Sequence, residues 1–165
     1  MAPTIYKVKE IGLGTLFVMA KPVAGEWIEN EFLGLKQLGI DKVVSLLEVA
    51  EAAELGLETE SELCRQHGID FVSFPIPDLG LPESNKAISL AGRIFSEISA
   101  GRKIVIHCRA GIGRTGIVAG AVLLHAGLSS SAAISLISQA RGVQVPDTAE
   151  QKEWLGAMEP ILKKM

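Results

Sequence analysis

Apolar residues along the chain alternate between two rhythms. Short consecutive or every-second apolar runs predict strands at Thr4–Val8, Leu16–Ala20, Lys42–Leu47, Asp70–Phe74 and Lys103–His107. Between them, apolar residues recur every three or four positions, the spacing of one helix face. The first helix is expected over Glu26–Leu38, with Ile28, Phe32 and Leu35 on one side, Trp27 in its packing stripe and Gly39 as its stop. A Glu-rich helical region covers Val49–His67, and the Thr59/Glu62 spacing of a capping box marks a second helix start inside it. Further helices are expected over Ser84–Ser99 (Ile88, Ala91, Phe95 and Ile98 inward), Arg114–His125, Ser130–Arg141 and Thr148–Leu162, the last packing through Trp154. Three prolines and a glycine between Pro75 and Pro82 exclude a regular element there.

Two elements depart from amphipathic patterning. Lys103–His107 carries Ile104, Val105 and Ile106 in succession, as a central strand covered on both faces does. Arg114–His125 is apolar nearly all round, which places it inside the domain rather than on its surface. Strand–helix alternation then predicts one α/β domain over residues 1–165, with a mostly parallel sheet flanked by helices on both faces.

Composition narrows the function classes. At 48% hydrophobic and 21% charged residues the chain is globular rather than disordered. A net charge of −3 without a Lys/Arg cluster argues against nucleic-acid binding. The apolar run Ile11–Ala20 is broken by Gly12 and Gly14 and is too short to span a bilayer, so no membrane anchor is expected. The two cysteines, Cys64 and Cys108, form neither a metal-ligand spacing nor a disulfide framework. They fit a reduced, cytoplasmic monomer that needs no metal or other cofactor. Cys64 reads as a small buried apolar residue, and the glutamates at 48, 51, 54, 58, 60 and 62 read as a solvated face.

The chemistry concentrates in His107-Cys108-Arg109-Ala110-Gly111-Ile112-Gly113-Arg114-Thr115-Gly116. This stretch joins a buried strand to a buried helix, where backbone amides and a helix N-terminus converge on an anion. Gly111 and Gly113 let the backbone curl, so that the amides of Arg109, Ala110, Gly111, Ile112 and Gly113 form an anion nest. The same field favours a thiolate on Cys108. Arg114 follows six residues later, and its planar fork can grip two phosphate oxygens. Thr115 can donate its hydroxyl to the thiolate, and His107 can orient the loop through backbone hydrogen bonds.

Cys-x5-Arg-Thr, preceded by His and enclosing Ala-Gly-Ile-Gly, resembles the signature of the protein tyrosine phosphatase superfamily. The likeness is to its dual-specificity and kinase-associated members. The resemblance implies an α/β cysteine-phosphatase fold and a phosphorylated protein as partner. It also implies a phosphocysteine intermediate on Cys108, with Arg114 stabilising charge. Small members supply a general-acid aspartate from a loop some thirty residues before the cysteine. Asp78, after Pro77, lies thirty residues before Cys108. Small members also carry an arginine followed about ten residues later by a glutamine, as Arg141 and Gln151 do here. The resemblance makes Gln151 the residue that positions the hydrolytic water. Arg109 stands where many tyrosine-specific members have Ser. Basic residues there occur in relatives acting on phosphoserine or phosphoinositides, so both phosphotyrosine and phosphoserine or phosphothreonine substrates are expected.

Other readings of the same residues remain open at this level. The loop alone also suits a non-catalytic phosphate-binding module, a phosphoinositide phosphatase, a rhodanese-like sulfur transferase or an arsenate reductase. Asp78 alone suits a turn after proline, while Gln151 and Arg109 alone suit solvated surface positions.

Overall fold

A five-stranded sheet forms the centre of the computed structural model, which describes residues 3–163. In chain order the elements are β1 (Tyr6–Ile11), β2 (Gly14–Met19), α1 (Ile28–Gln37), β3 (Lys42–Ser45), α2 (Val49–Glu54), α3 (Glu60–Gln66), β4 (Asp70–Ser73), α4 (Ser84–Ser99), β5 (Lys103–His107), α5 (Gly113–His125), α6 (Ser130–Arg141) and α7 (Ala149–Lys163). The strand order is β1-β2-β5-β3-β4. β1 is antiparallel to β2 and the other three pairings are parallel, so the sheet is mixed but mostly parallel. β5 lies between β2 and β3, with Val105 level with Phe17 on one side and Val43 on the other.

The period-two alternation of strands divides the core in two. Leu16, Val18, Val44, Ile104 and Ile106 face one side, where α4, α5, α6 and α7 build the larger hydrophobic cluster. Met19, Val43 and Val105 face the other, packed with Phe32 and Leu35 of α1 and Leu63 and Cys64 of α3. Every residue of α5 from Gly113 to Leu124 is buried, as its all-round apolar sequence predicts.

Four expectations need correcting. β1 runs to Ile11 rather than stopping at Val8, because Gly12 and Leu13 form a hairpin turn that pairs Ile11 with Gly14. The inward stripe of α4 is Ala87, Leu90, Ala91, Ile94 and Ile98, leaving Ile88 and Phe95 half-buried. α3 does start after Thr59, but Thr59 makes no side-chain cap, and Glu62 pairs with Arg65 instead. Trp27 is 70% exposed and sits ahead of α1 rather than in its packing stripe, whereas Trp154 is buried and donates from Nε1 to Ser84 Oγ at 3.1 Å. Among the described residues no helix is long and apolar enough to cross a membrane.

Candidate active site

Parallel strands deliver their carboxyl ends to one edge of the sheet, the usual ligand edge of α/β folds. Cys108 leaves the end of central β5 there and is 3% exposed. The carbonyls after it are all held by donors. Cys108 O lies 3.1 Å from His107 Nδ1, and Arg109 O accepts from Lys21 N at 3.1 Å. Ala110 O and Gly111 O accept from Arg141 Nη2 and Nε at 2.8 and 3.2 Å, and Ile112 O accepts from Gly116 N at 2.9 Å. Because a trans peptide points its N–H opposite its C=O, anchoring the carbonyls outward turns the amides of the loop into its concavity. Among the described residues, no carbonyl accepts from an N–H between Arg109 and Thr115. Arg141, matched in the sequence only by its position, is thus the clamp of the loop.

Close approach of backbone requires one loop glycine, and a side-chain tip crowds another. Gly111 has φ 74°, and a Cβ there would stand 2.4 Å from Met19 O. A Cβ on Gly113 would stand 2.4 Å from Asp147 Oδ2.

Arg114 opens α5 with its side chain buried. Its Nη1 and Nη2 donate to Glu51 Oε1 and Oε2 at 2.7 and 2.9 Å, and Nη1 also donates to Ile76 O at 3.0 Å. This fork-to-fork pair occupies one edge of the guanidinium and leaves the Nε side for an anion. Asp78 Oδ1 is 3.3 Å from Nη2, with its side chain 54% exposed, so the Pro-rich loop does bring Asp78 beside Arg114. Arg109, half-exposed at the rim, places Nε 3.3 Å from Glu51 Oε2. Burial weighs against the charge of Arg114, yet Glu51, Cys108 and Asp78 together raise its pKa. Arg114 in turn holds the Glu51 carboxyl below the usual carboxylate range, against the opposing effect of burial.

Glu51 and Glu60 overturn the reading of all six glutamates as a solvated face: both are buried. Glu60 Oε2 lies 2.6 Å from His107 Nε2, so His107 is held from both ring nitrogens between Glu60 and the Cys108 carbonyl. The missed signal is electrostatic. A buried arginine and a buried histidine need buried partners, and Glu51 follows closely on β3, whose end shares the edge with Cys108. Cys64 is buried as expected, and burial together with nearby Glu60 pushes its thiol up to about 12.

Gln151 is fully buried rather than solvated. Its Oε1 accepts from the amides of Asp147 and Thr148 at 3.0 and 3.2 Å, and its Nε2 donates to Gly80 O at 3.2 Å. It ties the loop of Asp78 to the start of α7. Thr115 is also fully buried, but among the described residues its hydroxyl has no hydrogen-bond partner, so the expected donation to Cys108 is not made in this conformation.

Residues 18–128, from the end of β2 to just past α5, match the model of the Tc-R-P family, described as polymorphic toxin system, DSP-PTPase phosphatase. The chain belongs to this family. It is 28% identical over 130 residues to cyclin-dependent kinase inhibitor 3 of Rattus norvegicus, a match covering 78% of this chain and 61% of that protein. The Homo sapiens protein of the same name matches at the same identity and coverage. The chain thus spans under two thirds of these curated relatives. Among solved structures, kinase associated phosphatase with serine at its catalytic-site cysteine superposes with a TM-score of 0.88 at 22% identity, covering 100% of this chain and 98% of that one. Tk-PTP in its active form has a TM-score of 0.74 at 27% identity, covering 94% and 97%. The mixed α/β fold is that of the dual-specificity phosphatases.

Proposed function

We propose that this chain is a cysteine-dependent phosphatase that removes phosphate from phosphorylated tyrosine and from phosphorylated serine or threonine in proteins. The observation that carries this reading is the loop after β5. Its carbonyls are clamped outward, which turns its amides inward, and Arg114 at its end lies 3.3 Å from Asp78 and within the electrostatic reach of Cys108.

In the first step the Cys108 thiolate attacks phosphorus, forming an S–P bond as the P–O ester bond breaks. Asp78 gives its proton to the leaving oxygen. In the second step Asp78, now ionised, takes a proton from water as that water attacks the phosphocysteine. Phosphate leaves and the thiolate returns. The amides of Arg109, Ala110, Gly111, Ile112 and Gly113, with the free side of Arg114, stabilise the equatorial oxygens in both steps. Gln151 supports the reaction by fixing the Asp78 loop. Its Nε2 keeps a second N–H beyond the one given to Gly80 O, which can hold the attacking water. Thr115 assists thiolate departure if its hydroxyl turns to Sγ.

Tolerance for short phosphoserine side chains follows from the rim. Leu79 and Leu81, the leucines that follow Asp78 in its loop, are 60% and 42% exposed, which supports a shallow rim. Matched peptides differing only in the phosphorylated residue test the reading. All three phosphorylated residues should be hydrolysed by the wild type. A kcat/KM for phosphotyrosine more than about 10⁴-fold above the others would overturn dual specificity.

A further inference from the structure

Beside the phosphate loop lies a cavity of about 580 Å³, within the size range of ligand pockets. Its walls include Tyr6, Met19, Lys21, Val23, Trp27 and Glu31. Nothing in the proposed chemistry uses it. Trp27 and Val23, two of its wall residues, are 70% and 67% exposed and together form an apolar patch at its mouth.

The cavity is continuous with the loop in three ways. β2 runs parallel to β5, so the chain after Met19 leaves the sheet at the same edge as Cys108. Lys21, on the cavity wall, donates its amide to Arg109 O, and Met19 O closes on Gly111. Arg141 clamps the carbonyls of Ala110 and Gly111 while its guanidinium stacks 4.4 Å over the Tyr6 ring, another wall. One strand end therefore separates the two sites.

Resting on the phosphatase reading, we infer that this cavity is a substrate subsite: it takes a bulky apolar side chain of the phosphorylated polypeptide, two to four residues from the phosphorylated one. The spacing follows from the sheet. Neighbouring strands lie about 4.8 Å apart, and an extended peptide advances roughly 3.3 Å per residue, so two to four residues carry a side chain across the end of β2 into the cavity. Charge selects a polypeptide over a lipid. The charged lining residues Lys21 and Glu31 balance, and Glu26 and Glu29, both exposed, lie close to Trp27 in the chain, so the rim is not basic. Anionic membrane surfaces are bound by basic patches, not by acidic ones, whereas a neutral or basic peptide meets this rim without repulsion.

The test scans Trp through positions −4 to +4 of a fluorescein-labelled phosphopeptide of otherwise small residues. Binding is measured to the full chain carrying Cys108→Ser, and kcat/KM to the full chain with Cys108 intact. Both are repeated with Trp27→Ala and with Val23→Ser, exposed positions whose loss leaves the core intact. Affinity and kcat/KM should rise at least about tenfold when Trp stands two to four residues from the phosphorylated one. Both substitutions should remove that gain while p-nitrophenyl phosphate turnover stays within about twofold. A flat scan overturns the inference, as does a gain that survives both substitutions. It is equally overturned if Trp27→Ala lowers hydrolysis of a phosphoinositide in anionic vesicles and leaves the peptides unchanged. If the tryptophan gain appears in binding but p-nitrophenyl phosphate is not hydrolysed, the subsite stands and the phosphatase reading fails.

Discussion

Replacing Glu51 with Gln keeps the volume of the side chain and removes its charge. The amide oxygen can still accept from one nitrogen of Arg114. The amide nitrogen then faces the other Arg114 N–H, donor against donor. The wild-type pair makes two short bonds at 2.7 and 2.9 Å with both side chains nearly fully buried, so solvent screens it little. Breaking such a pair typically costs about 3–5 kcal/mol. Arg114 keeps Ile76 O and Asp78 as partners, which argues for the low end, about 3 kcal/mol. For a chain of this length that lowers Tm by roughly 6–12 °C. Release of the guanidinium also displaces the group that meets phosphate, and a displacement near 1 Å costs about 10²-fold in kcat/KM. Urea and thermal denaturation, with p-nitrophenyl phosphate kinetics, read both effects. Their pH dependence has a defined sign. Arg114 lowers the folded pKa of Glu51, so the stabilisation is complete above the ordinary carboxylate value of 4.5 and is lost as pH falls through the depressed folded value. The stability gap between wild type and Glu51→Gln should therefore close only in acid. A variant within about 1 kcal/mol and threefold of wild type, or a gap that widens as pH falls, would refute the reasoning.

Asp78→Asn should lower kcat by about 10²–10³ for poor leaving groups and much less for p-nitrophenol, which departs without a proton; equal losses across leaving groups would show that Asp78 is not the acid. Gly111→Ala sets a methyl 2.4 Å from Met19 O at a positive φ, so the loop must shift its amides, and kcat should fall by at least about 10²-fold; near-normal kinetics would contradict the clamped-loop geometry. Iodoacetate at neutral pH should alkylate Cys108 and leave Cys64 untouched, since the Cys64 thiol is buried and pushed up to about 12; comparable labelling of Cys64 in the folded chain would refute its burial.

Local signals carried the parts of this molecule that depend on neighbours in sequence. The apolar run Ile104–Ile106 and the all-round apolar α5 placed the central strand and the central helix, and the loop between them follows from both. Asp78 was legible through the resemblance, which expects an aspartate some thirty residues before the cysteine, and the fold sets it 3.3 Å from Arg114. The buried partners were not legible, because pairing is set by topology rather than by pattern. Glu51 and Glu60 stand in a run of glutamates that looks uniformly solvated, and only the approach of Arg114 and His107, more than forty residues away, singles them out. Gln151 was expected by the resemblance, but its burial was not legible, because nothing local shows that Gly80 and Asp147 fold over it. Trp27 failed in the opposite sense: its spacing suits the stripe of α1, but the helix begins one residue after it.

Rapid mixing of the chain with a phosphotyrosine peptide, acid quenching and peptide mass mapping test the central claim directly. The peptide containing Cys108 should gain the mass of one phosphoryl group within the first turnover. That gain should be absent with Cys108→Ser, which should bind vanadate but not turn over. A phosphoryl group on any other residue, or turnover by Cys108→Ser near the wild-type rate, would contradict the assignment of Cys108 as nucleophile.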